Sequence, residues 1–143
     1  SGMIFVVGGK YTTYRKIADE CVNQIAGVKK KYDFKLYGTG PINESTDTLS
    51  TQYGLDKNII CALIAKYGAR HRTVLELTPL DPALKEKISE NPVVILAQVV
   101  YAIQTEMAQA AEDIIERRLS LQYSGRITKS CIDTIQRIID QYK

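Results

Sequence analysis

A chain of 143 residues, 45% hydrophobic and 24% charged, has the make-up of an ordinary globular domain, large enough for one core and too short for a typical two-domain enzyme. The formal net charge is only +3 and Lys29-Lys30-Lys31 is the one basic run, so the basic stripe that nucleic-acid binding needs is lacking and no nucleic-acid partner is expected. No apolar run approaches the roughly 18 residues of a membrane span, and Ser1 to Lys10 lacks the charged and small-residue marks of a signal peptide, so no spanning or targeting segment is expected.

Met3 to Val7 is an apolar run bounded by Gly2 and Gly8, with the length and composition of a strand buried on both faces. No second strand pattern follows, so its sheet partners are expected upstream. Gly8-Gly9-Lys10 then leads to Thr12 and Thr13, either of which can cap a helix whose Ile17, Ala18, Cys21, Val22 and Ile25 share a face and which Gly27 stops. This order brings bare backbone N–H groups and the positive end of a helix dipole to one point, a place for anionic or electron-rich atoms. By spacing alone, two glycines after a strand are more often a plain turn. Residues 28–49 hold the lysine run, Gly38, Gly40, Pro41 and a tract rich in Ser, Thr, Asn and Asp without a period. Residues 28–53 therefore read as a linker or arm.

From Gly54 onward the pattern is helical, and residues 54–143 read as a helical bundle with short connections. Asp56 opens a helix with Ile59, Ile60, Leu63, Ile64 and Tyr67 on one face, closed by Gly68; a short helical turn through Val74, Leu75 and Leu77 stops at Pro79. Asp81-Pro82 starts another. Asn91-Pro92 opens the longest, predicted to run to about Arg118, because Asn followed by Pro at the first helical position is a strong start signal. On that helix Leu96, Val99, Val100, Ile103, Met107, Ala110 and Ile114 form one apolar arc. Glu106, Asp113 and Arg117 line its edge and read as structural ion-pair residues. Arg118 falls inside the arc, so either the helix frays before it or it reaches a carboxylate or carbonyl across the domain seam. Thr128 to Gln141 closes the chain, with Cys131, Ile132, Ile135, Ile138, Ile139 and Tyr142 on one face.

His71, the single histidine, lies between two arginines in a polar stretch and is expected at the surface. Cys21, Cys61 and Cys131 are odd in number, far apart and set in helical patterns. They read as reduced core thiols, which suits a cytoplasmic protein. Neither triad spacing nor metal-ligand spacing appears, no metal site is expected, and the G-x-G-x-x-G dinucleotide fingerprint is missing.

Gly8-Gly9-Lys10-Tyr11-Thr12-Thr13-Tyr14-Arg15 resembles the G-G-K-x-T-T-Y-R signature that closes the flavin domain of FAD-dependent glycerol-3-phosphate dehydrogenases and alpha-glycerophosphate oxidases. Leu96 to Ala108 with Asp113 and Arg117-Arg118 is similar to that family's L-x-A-E-V-x-Y-A-x-x-x-E-M-A…D-x-x-x-R-R. Gln98 stands in the Glu place, and Leu119 where Thr is common. Lys66-Tyr67-Gly68-Ala69-Arg70 is similar to its R-Y-G-T stretch.

The resemblance implies a mainly α chain: a helical C-terminal cap domain (54–143), an arm (28–53), and one strand and helix (1–27) left from an α/β FAD-binding domain. It implies that Gly8, Gly9, Lys10, Thr12 and Thr13 face the flavin of a parent that oxidises sn-glycerol 3-phosphate to dihydroxyacetone phosphate, with Lys10 supplying positive charge at the flavin edge or to the substrate. Tyr14 and Arg15 look structural. The implied partners are the upstream FAD-binding domain, glycerol 3-phosphate, a quinone or oxygen as electron acceptor, and a second copy in a homo-oligomer. The parent is expected to be cytoplasmic or peripheral on the cytoplasmic membrane. No FAD is expected on this chain alone, which should be inactive. Two other readings are a helical docking module without catalysis and, with less support, a helix-turn-helix binder over Gly54 to Leu77.

Overall fold

The computed structural model describes residues 2–27, 35–124 and 127–142. They fall into two compact units, Ser1–Leu36 and Tyr37–Lys143. The lysine run of the arm lies outside the described residues.

In the first unit a 3-10 turn, Tyr11–Thr13, leads into α1 (Tyr14–Ala26), which ends at Gly27 in the left-handed conformation that commonly stops a helix (φ 64°). The expected strand at Met3 to Val7 is not formed. A strand is completed by ladder hydrogen bonds from a neighbour, and residues 2–10 have no regular structure and no paired strand among the described residues. Met3, Phe5, Val6 and Val7 are exposed, and none of the unit's described residues is buried. The threonine cap is also not made: Thr13 donates its hydroxyl to the Lys10 carbonyl (3.0 Å) and accepts from no first-turn amide.

The second unit is helical with one small sheet. The tract read as an arm ends in a helix, α2 (Thr46–Tyr53), because Ser45 accepts from the Thr48 amide (3.1 Å) and Asp47 sits in the first turn, where negative charge favours a helix start. Leu49 and Tyr53 of α2 are buried in the core. After Gly54 (φ 62°) comes α3 (Lys57–Tyr67), as the periodicity predicts, burying Ile59, Ile60 and Leu63. A 3-10 turn, Gly68–Arg70, joins it to α4 (His71–Leu75). Asp81 then caps a 3-10 turn, Pro82–Lys85, by accepting from the Ala83 amide (2.9 Å).

The long helix predicted from Pro92 to Arg118 is three things. Lys87–Glu90 (β1) and Val93–Ile95 (β2) pair antiparallel, with Glu90 opposite Val93 and a bulge between Lys87 and Ser89; the Asn91-Pro92 bond between them is cis. The β-branched run Val93-Val94-Ile95 favours a strand and overrides the helix-start signal before it. Helix α5 then covers only Leu96–Thr105. It stops at Met107, which has a left-handed backbone (φ 59°), and the chain resumes as a π-helical segment, Asp113–Arg118. Tertiary burial accounts for the break, since it lets Ala108, Ala111, Ile114, Ile115 and Leu119 all join the core. The last helix, α6 (Lys129–Tyr142), buries Ile135, Ile138 and Ile139 while Ile132 stays largely exposed.

Buried Leu, Ile and Val side chains from α2, α3, α4, β2, α5 and α6 form one continuous core. At about 1.5–3 kcal/mol for each fully buried aliphatic side chain, this cluster is the main source of the unit's stability. Among the described residues no helix is long and apolar enough to cross a membrane.

Candidate functional site

Gly8, Gly9 and Lys10 form the turn ahead of α1, and the structure brings them together on one wall of an open, largely apolar concavity of about 590 Å3 whose other walls include Tyr11, Tyr14 and Ile17. Thr12 and Thr13 do not line it. A Cβ built on Gly9 would meet nothing within 4 Å; one on Gly8 would meet the end of the Ile17 side chain at 2.7 Å. The backbone is therefore open to close approach at Gly9, whereas Gly8 makes room for the Ile17 side chain. Within the 3-10 turn the Thr13 amide bonds the Lys10 carbonyl (3.1 Å), and the Tyr14 amide bonds the Tyr11 carbonyl. The amides of Tyr11 and Thr12 precede the first helical bond and have no helical acceptor, so the unit presents donors and a lysine beside an apolar hollow.

The second set of sequence-predicted residues occupies the broken end of α5. The Asp113 carboxylate accepts from the amides of Gln109 (2.9 Å) and Ala110 (3.1 Å) and pairs with Arg117. These amide bonds, with the arginine, hold its acid below the usual aspartate range. Arg118 does reach a carbonyl, but within its own unit: Nη2 and Nε donate to the Glu106 backbone oxygen at 2.8 and 3.2 Å, and Nε lies 3.8 Å from the Glu106 carboxylate. Glu106 is titrated upward by partial burial, against the pull of Arg118 and Lys66. Arg118 thus ties the π-helical segment to Glu106 at the end of α5, while Asp113 fixes the start of that segment through the Gln109 and Ala110 amides and Arg117.

Gln98, in the Glu place of the motif, is buried; its Oε1 accepts from the Ile95 amide (3.0 Å) and its Nε2 donates to the Tyr67 hydroxyl (3.4 Å). Burial pushes the Tyr67 phenol well above its ordinary range. Tyr67 also packs edge-on against Tyr101, with ring centroids 5.2 Å apart. Lys66, 5.8 Å from the Tyr67 ring centroid, is lowered by burial, partly offset by Glu106.

Two expectations fail here. His71 is buried, only 3% exposed, with Nδ1 against the Gly68 carbonyl at 2.8 Å and Nε2 without a partner. Its arginine neighbours suggested solvent, but the turn at Gly68–Arg70 folds the ring inward. None of the cysteines is fully buried: Cys61 is exposed, Cys21 is partly exposed, and Cys131 is partly buried and packs against the core, all as free thiols. Among the described residues no group of three or more His, Cys, Asp or Glu could hold a metal ion.

Residues 29–143 match the family described as the C-terminal domain of alpha-glycerophosphate oxidase. The chain is 34% identical over 130 residues to a glycerol-3-phosphate dehydrogenase of Synechocystis, an alignment covering 85% of this chain and 24% of the relative. It is 31% identical over 132 residues to a probable mitochondrial glycerol-3-phosphate dehydrogenase of Dictyostelium discoideum (86% and 20%), and 26% identical over 159 residues to an aerobic glycerol-3-phosphate dehydrogenase of Staphylococcus aureus (98% and 28%). The chain therefore spans about a quarter of the length of the curated relatives it matches. No solved structure matches it. The match over residues 29–143 shows that the chain belongs to the family of alpha-glycerophosphate oxidase C-terminal domains, with glycerol-3-phosphate dehydrogenases among its relatives.

Proposed function

We propose that the chain is the C-terminal part of an FAD-dependent enzyme that oxidises sn-glycerol 3-phosphate to dihydroxyacetone phosphate, with residues 1–27 closing the flavin domain and the helical unit serving as its cap. The observation that carries this reading is the Gly8-Gly9-Lys10 turn, which sets an exposed lysine and the amides ahead of the first helical bond beside an apolar hollow. That donor set fits the electron-rich edge of a flat cofactor. FAD, when bound, supplies the hydride acceptor.

What this chain's residues do follows from their chemistry. Gly9 admits close approach to the backbone, Gly8 lets Ile17 pack behind the turn, and the Tyr11 and Thr12 amides donate. Thr13, its hydroxyl committed to the Lys10 carbonyl, fixes the turn and so positions Lys10 rather than contacting the cofactor. Lys10 adds positive charge where negative charge grows during hydride transfer. The reduced parent then passes its electrons to a quinone or to oxygen. The groups that grip the FAD pyrophosphate and most of the substrate are supplied from upstream, so the chain by itself is inactive.

Lys10→Ala in the intact enzyme tests the assignment. A cation matters more once charge has developed, so its loss falls on the transition state, by about 2–4 kcal/mol if it acts like an oxyanion-hole donor. Stopped-flow reduction by glycerol 3-phosphate should slow accordingly, with the thermal midpoint unchanged. Reduction at the parent rate would remove Lys10 from the chemistry.

A further inference from the structure

Met107 combines two features that oppose each other. Its backbone is left-handed (φ 59°), at the position past a helix end where glycine is the usual residue. The turn is fixed by the Ala102 carbonyl, which accepts from the amides of both Glu106 (3.2 Å) and Ala108 (3.0 Å). Yet the residue is a long apolar side chain, 80% exposed, that gains almost no burial inside its unit. Ser120, left-handed after the π-helical segment, is small and polar, the kind of residue such a site more readily accepts. Beside Met107 stand the partly buried Glu106 and Arg118, paired at the same surface. A side chain held out at a backbone cost, on the rim of a half-desolvated ion pair, is built to be covered.

We infer that Met107 is the apolar anchor by which the helical unit docks on the upstream flavin-binding part of the same polypeptide. This rests on the function proposed above. The occupant is chosen from length: the relatives carry about three quarters of their chain outside the aligned region, so the helical domain in those proteins belongs to a much larger body. A flexible thioether suits such a contact because it moulds to an irregular apolar pocket.

Methionine oxidation in the intact holoenzyme tests this without a variant, since the chain has only two methionines, Met3 and Met107. Under dilute hydrogen peroxide each thioether takes one oxygen atom to give the sulfoxide, the peroxide leaving as water, and the rate follows access to sulfur. Peptide mass spectrometry reads both sites against N-acetylmethionine amide in the same solution. Docking predicts that Met107 reacts at least about tenfold more slowly than the free amide, whereas the exposure seen here would leave it within about threefold. Met3, 72% exposed here, reports separately on the flavin-domain reading, which requires its protection in the intact enzyme.

Slow Met3 with fast Met107 overturns the docking anchor and leaves the function standing. Both fast overturns the flavin-domain reading and this inference with it. Protection of Met107 that appears only as enzyme concentration rises through a monomer–dimer transition overturns the choice of occupant in favour of a second copy. Slow oxidation of both at every concentration is the expected result.

Discussion

The two units use the same kinds of apolar side chain with opposite outcomes. In Tyr37–Lys143 the leucines and isoleucines at helical spacing are buried against one another; in Ser1–Leu36 a run of Met, Ile, Phe and Val and the amphipathic helix α1 bury no residue. Helical periodicity can be satisfied by neighbours close in sequence, which the second unit has in plenty. A buried strand needs ladder partners and a layer on each face, and among the described residues the first unit has neither. Patterning thus states what an element needs, and only the rest of the chain decides whether it gets it.

The sharpest way to break this contrast is to truncate one side chain in each unit. Leu63→Ala empties a fully buried site on α3 and should cost about 2–5 kcal/mol, read as a fall in the urea midpoint. Val7→Ala, at a position 92% exposed, should leave the midpoint where it is. Equal effects would mean that the first unit has a core of its own.

Next comes a backbone contact. Gly68 has φ +53°, and a Cβ there would stand 2.6 Å from the Gly38 carbonyl oxygen, so Gly68→Ala should cost about 2 kcal/mol or more through the left-handed strain and the forced separation of the two segments. Gly9→Ala, with open space around its Cβ, should be silent in the same melt.

The smallest effect lies in the pH dependence. Asp113, held below its ordinary value, contributes stability present above pH 3.8 and lost as pH falls through its lowered pKa. Glu106, held above its ordinary value, works the other way: the folded state binds its proton more tightly, so stability declines as pH rises from 4.5 through the raised pKa. Asp113→Asn should flatten the acid limb of a stability–pH curve, and Glu106→Gln should remove the decline just above it. Limbs of the same sign in the two variants would refute the opposed assignment.

How far the sequence was legible depends on whether a signal was local. α3 and α6, the glycine stops at 27 and 68, and the Asp113–Arg117 pair were all readable, because each is written within one or two helical turns. α2 was missed although Ser45 and Thr48 are a cap signal, since the polar tract before it has no period. The hairpin was missed because Asn91-Pro92 looked like a helix start, and the β-branched trio after it outweighs that only once Lys87–Glu90 is present to pair. His71 was misplaced at the surface by its arginine neighbours; the ring turns inward beside a carbonyl three residues back in a tight turn. At the candidate site, Gly8, Gly9 and Lys10 were legible as a group because backbone permissiveness and charge are properties of residue type. The division between Thr12 and Thr13 was not, because it turns on which hydroxyl the turn engages.

The contact between Gly38 and the α3 terminus also has a mechanical side. The Gly38 carbonyl accepts from the Ala69 amide (3.0 Å), and the Arg70 guanidinium lies over the Tyr37 ring with its carbon 3.7 Å from the centroid. Tyr37 is the first residue of the helical unit, so these two contacts close residues 37–70 into a ring at the point where the chain enters. Tension arriving along the polypeptide from residue 36 loads this latch first, and α2 and α3 are relaxed for as long as it stays shut.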